Sequence, residues 1–146
     1  AAGAVFAWAQ IAAIFGRIFW GWLARMKPGA RPVLATLGLA MGICSMILTL
    51  VTPGWTAFWV TTIALVYSAT AISWHGVILA EISNLSQPRA VATNTGGVLA
   101  FATAGQIIYP AIFGALLSLT SGFGMGFVLA GLPAALIGVM FLRRQR

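Results

Sequence analysis

The chain has 146 residues, 61% of them hydrophobic and 6% charged, with eight Lys or Arg against a single acidic residue, Glu81. A soluble domain carries about 25% charged residues to keep its surface in water, so this composition excludes one. The net charge of +7 invites nucleic acid as a partner, but the charges stand at the ends of apolar runs and form no basic stripe interleaved with aromatics, which excludes that class.

A membrane-spanning helix needs ~20 mostly apolar residues, at 1.5 Å rise across a ~30 Å hydrocarbon core. The chain opens inside an apolar run, with neither a Met nor a basic segment ahead of it. That start excludes a signal peptide and reads as the cut edge of a longer protein. The first run covers about residues 4–24, interrupted by Gln10 and Arg17. A basic turn, Arg25-Met26-Lys27-Pro28-Gly29-Ala30-Arg31, breaks it with Pro and Gly. The second run covers about 32–52 and ends at Pro53-Gly54. The third covers about 55–80 and stops at Glu81, before a polar loop from Ser83 to Arg89. From Ala90 to Leu142 no residue is charged, and those 53 residues suit two helices, about 91–117 and 123–142, broken at Ser118–Gly122.

The expected fold is therefore an all-α membrane protein of five transmembrane helices, residues 1–146 forming one unit. Barrel strands are a poor fit, because they alternate apolar and polar residues and these runs are apolar on both parities. Gly38 and Gly42 in the second run, and Gly122, Gly126, Gly131 and Gly138 in the last, let helix backbones approach. Pro110 and Pro133 each remove a backbone donor and should kink their helices. Cys44 is alone, so neither an internal disulfide nor a cysteine-based metal site is available.

Charge placement gives a direction. Arg17, Arg25, Lys27 and Arg31 lie at or near the first turn, Arg89 in the third, and Arg143, Arg144 and Arg146 in the tail. All fall on one side, which the enrichment of Lys and Arg in cytoplasmic loops makes the inner one. The C-terminus is then cytoplasmic. Trp20 and Trp22 stand at the inner interface, Trp55 and Trp59 near the outer one.

The stretch Gly16-Arg17-Ile18-Phe19-Trp20-Gly21-Trp22-Leu23-Ala24-Arg25, running into Arg31-Pro32-Val33-Leu34, resembles the loop motif of the major facilitator superfamily. Gly21, Leu23 and Ala24 match that motif, and Gly29 and Arg31 match loosely. Arg25 stands where the family has Asp, and the loop is longer by one residue. Trp74-His75-Gly76 through Glu81 and Pro88-Arg89 resembles the end of the family's tenth helix. Thr95-Gly96-Gly97, Gly105-Gln106, Pro110 and Gly114 resemble its eleventh.

The resemblance implies helices eight to twelve of a twelve-helix permease: part of its C-terminal half, in a bacterial inner membrane, with helices one to seven of the same polypeptide as missing partner. It implies secondary transport of a small-molecule substrate by alternating access, surrounded by membrane lipid. It places a cytoplasmic gate or loop motif at Gly21, Arg17, Arg25, Arg31, Glu81 and Arg89, with Glu81 pairing Arg17, Arg25 or Arg89. A plain surface charge and a proton-coupling carboxylate are the alternatives for Glu81.

The third run is the most polar. Tyr67, Ser68, Ala71, Trp74 and His75 share one broad helical face, and the resemblance puts that face on the central cavity. Tyr67, Ser68, Trp74 and His75 are thus the main substrate-cavity candidates; Gln10, Asn94, Gln106 and Tyr109 are secondary. Each has a plainer reading as an interhelical hydrogen bond, worth about 0.6 kcal/mol on average. His75 and Glu81, six residues apart, point about 120° from each other and make a poor dyad. No phosphate loop, metal cluster or nucleophile with a placed base is legible, so no enzyme activity, metal or cofactor is expected. The alternative to a transporter is a small polytopic scaffold or subunit without transport activity of its own.

Overall fold

The computed structural model describes residues 2–26, 29–120 and 122–143. Lys27 and Pro28 of the basic turn, Ser121 of the fourth turn, and Arg144 and Arg146 of the tail lie outside them. The described residues form helices and turns, with no strand among them. In order the helices are α1 (Ala2–Ala24), α2 (Ala30–Thr49), α3 (Ala57–Ala71), α4 (Trp74–Leu85), α5 (Val91–Thr120) and α6 (Gly124–Arg143). Five stretches are long and apolar enough to cross a membrane, because α3 and α4 together make one span, Ala57–Leu85. The chain is an all-α integral membrane protein.

Lipid explains the surface. Phe101 is 86% and Leu119 81% exposed, and all along α5 no residue is buried. In water such a helix would aggregate; in hydrocarbon those side chains cost nothing. What lipid does not supply is a drive to bring helices together, so close contact must. Helix α2 is the hub, touching α6, α3, α4 and α1. It packs most extensively against α6, antiparallel, through small residues. A Cβ added at Gly38 would stand 2.8 Å from the Ala134 carbonyl oxygen and 3.0 Å from Gly138 Cα. Gly42 meets Ala135, and Gly131 meets Ser45. The Ser45 hydroxyl donates to the Phe127 carbonyl at 2.7 Å in the same seam. Gly126 is filled by the ring of Phe113 on α5, whereas Gly122 faces no other helix closely.

Element ends differ from expectation in instructive ways. Helix α2 starts at Ala30 because Gly29 takes φ 76°, the left-handed conformation glycine adopts readily, and so resets the chain direction directly before it. Pro110 and Pro133 lie inside continuous helices, α5 and α6. The third span departs most: it is two helices, and its last turn runs past Glu81 to Leu85.

Candidate functional site: the broken third span

The break falls at Ile72–Ser73, near the middle of the 29-residue span, without Gly or Pro. Its cause is side-chain competition for backbone carbonyls. The Thr70 hydroxyl donates to Val66 O and Tyr67 O, both at 3.0 Å, and Ser73 Oγ donates to Ala69 O. The Ser73 N–H then reaches back three residues to Thr70 O, at 3.3 Å, rather than four. Ser and Thr bonds of this kind bend helices. A neighbour fixes the place: Gly16 of α1 lies against Ala69 and Ser73, where a Cβ would come 2.5 Å from the Ala69 carbonyl. Ile72 and Ser73 both keep right-handed helical dihedrals, so the break is a local fault in the hydrogen-bond ladder that bends the span and leaves no unwound segment.

Beyond the break, α4 opens with Trp74 and His75, whose rings stack with centroids 3.9 Å apart and planes at 29°. His75 Nε2 lies 3.3 Å from Gln106 Nε2, at the middle of α5. With the amide as donor, the ring proton sits on Nδ1. Gln106 is exposed and His75 only half-buried, so two polar side chains face outward at a depth where lipid offers no partner. Toward the α4–α5 turn, Asn94 Nδ2 donates to Ser86 Oγ at 2.8 Å. On the other flank of α5, the Tyr109 hydroxyl donates to Gly126 O at 2.7 Å.

Six residues after His75, Glu81 projects from a different side of α4, about 120° round. Sequence reasoning offers Arg17, Arg25 and Arg89 as its partners; the structure pairs it instead with Arg31, Nε to Oε1 at 3.2 Å. Antiparallel packing of α2 on α4 brings the first turn of one beside the last turns of the other. Arg17, Arg25 and Arg89 are exposed, and Gly21 has open space where a Cβ would be. The loop residues therefore do not gather around Glu81. The Arg31 and Glu81 side chains are 53% and 19% exposed, so the pair contributes about 0.2–1 kcal/mol.

The face expected to unite Tyr67, Ser68, Trp74 and His75 is split by the break. Tyr67, on α3, lies beside Ser45 and Cys44 of α2. Ser68, half-buried, is the last of the set before the break. His75 turns to α5, while Thr70 and Trp74 look into a groove between α2, α4 and α6. Gln10 is exposed on α1, off the buried Ala9–Ala13–Gly16 face, and joins none of them. The groove has an inner lobe of about 360 Å³ and an outer one of about 270 Å³ at Arg31 and Glu81, both lined by Leu34, Ile78 and Phe141. Thr70, Ser73 and Ser86 were missed as functional positions; the dense Ser and Thr of the third run was the signal for the first two. Among the described residues no three of His, Cys, Asp or Glu gather as metal ligands. Compared against known protein families, curated protein sequences and solved structures, the chain matches none.

Proposed function

We propose that the chain carries out secondary transport of a small solute by alternating access, as a section of a major facilitator permease. One observation carries the reading: the third span breaks at mid-depth, and the first turn after the break puts His75 against Gln106 on an outward-facing surface. Interrupted spanning helices near the bilayer midplane are where transporters of many folds bind their cargo, and the interruption here is a two-residue fault in the hydrogen-bond ladder. Polar groups at that depth need a partner, so a further helical body closes over this face and leaves an aqueous path between. In a bacterial inner membrane, the end bearing Arg25, Arg31 and Arg89 is cytoplasmic.

The test uses the protein in its native membrane, with Cys44 and any cysteine beyond these 146 residues replaced by Ala to give a cysteine-free background. His75→Cys and Gln106→Cys react with a membrane-impermeant thiol reagent, and the transported solute slows that reaction. Phe101→Cys, on the lipid-facing side of the same reading, does not react. In liposomes, solute counterflow falls about tenfold in His75→Ala, the order expected when one hydrogen-bonding partner of the solute is lost. A dry His75–Gln106 face, unreactive under all solutes, favours instead a scaffold subunit whose partner packs directly over it.

A further inference from the structure

The groove between α2, α4 and α6 belongs to a different side of α4 from His75, and it has its own chemistry. Measured along α2, it runs from Arg31 at one end to Met41 at the other. Ten residues of helix are about 15 Å, half of a ~30 Å hydrocarbon core. The groove therefore begins at the membrane surface, ends at the midplane, and matches the depth of one leaflet. It is open along one side, and Gly38, Ala130 and Ala134 line it where α2 and α6 press together. Its single hydroxyl, that of Thr70, is already given to backbone carbonyls of its own helix. Apart from this hydroxyl and the Trp74 indole, the groove is lined by apolar side chains until Arg31 and Glu81 are reached.

We propose that this groove holds one acyl chain of an anionic phospholipid from the leaflet on the Arg31 side, with the phosphate at Arg31. The chain's charge selects the head group. Glu81 is the one acid in the sequence, and it takes the Arg31 Nε. A guanidinium has five donors in a planar fork, so its terminal nitrogens reach a phosphate while Nε stays on the carboxylate. The Arg31 side chain is 53% exposed, within reach of the head-group layer. Arg25, Arg89 and Arg143 close their helices or turns on this same side, a field that draws anionic heads and repels cationic ones. The site depends neither on transport nor on which face is cytoplasmic.

The experiment places the full chain in phosphatidylcholine vesicles carrying a trace of phosphatidylglycerol with a photoactivatable group on its acyl chain. After illumination, peptide mapping locates the adducts. The expected adducts fall on α2, α4 and α6 around Met41, Ile78 and Phe141, and unlabelled phosphatidylglycerol competes them away. The same photoactivatable chain on phosphatidylcholine labels these positions about fivefold less, and Arg31→Gln lowers the phosphatidylglycerol signal about fivefold, the effect of one charge near the surface. Glu81→Gln, which leaves Arg31 in place, retains or raises the signal. Met41→Trp, which fills the inner lobe, loses it while far-ultraviolet circular dichroism stays unchanged. Equal labelling by both lipids, adducts spread evenly onto α5, or loss in Glu81→Gln equal to that in Arg31→Gln overturns the proposal.

Discussion

At the residue scale, two pairs of polar side chains join helices among the described residues, and they differ in what they hold. His75–Gln106 joins α4 to the otherwise sparsely packed α5. Interhelical hydrogen bonds in membranes average about 0.6 kcal/mol, with a maximum near 1.7. A double-mutant cycle of His75→Ala and Gln106→Ala, measured by SDS-titration unfolding, should return a coupling in that range; additivity would show that the contact does not stabilise the fold. Arg31–Glu81 joins α2 to α4. Glu81→Arg sets like charges face to face and lowers the unfolding midpoint, and Arg31→Glu added to it restores most of the loss. A double variant no better than the single one rules out the pair as a clamp. Glu81 could be singled out from the sequence as the one acid, but its partner could not. Which arginine meets it depends on how far two antiparallel helices slide along each other, and hydropathy carries no information about that offset.

At the element scale, the spans were legible because hydrocarbon admits only long apolar stretches, and five such stretches exist. The break in the third was not. Hydropathy averages over Thr70 and Ser73 without registering that each hydroxyl is bonded to a carbonyl of α3. Glycine was a better guide: Gly38 and Gly42 did mark the α2–α6 seam, although Gly122 did not mark one. The seam makes a sharp prediction. Gly38→Val must displace backbone atoms of α6, which give way less readily than side chains, and should cost about 1–3 kcal/mol. Gly96→Ala on α5, with nothing within 4 Å of the new methyl, should stay within about 0.5 kcal/mol. Equal losses in SDS titration at the two sites would mean that the α2–α6 seam is looser than described.

At the scale of the whole molecule, the basic residues sort to one end. In the same cysteine-free background, Met26→Cys and Gln87→Cys should react with an impermeant maleimide only after cells are permeabilised. Thr52→Cys and Gly122→Cys should react in intact cells. Labelling of Gln87→Cys from outside would reverse the orientation argued from charge. The interior is thinly filled for five spans: among the described residues buried side chains concentrate on α2, while α5 packs mainly on α4 and α6. A helix held by a few hydrogen bonds and the ring of Phe113 is the element with most freedom to move against the rest.

The pairing of α2 with α6 also sets the timing of biosynthesis. The ribosome finishes Thr49 long before it reaches Arg143, and at about 5–20 residues per second the interval lasts roughly 5–20 s. During it the notched face around Gly38 and Gly42 has no permanent occupant. The nascent chain must wait in the insertion machinery, or among lipids, with its central helix half-dressed. Assembly of this bundle is therefore decided by α6, and a ribosome that stops before Gly124 leaves α1–α5 without the helix that locks them.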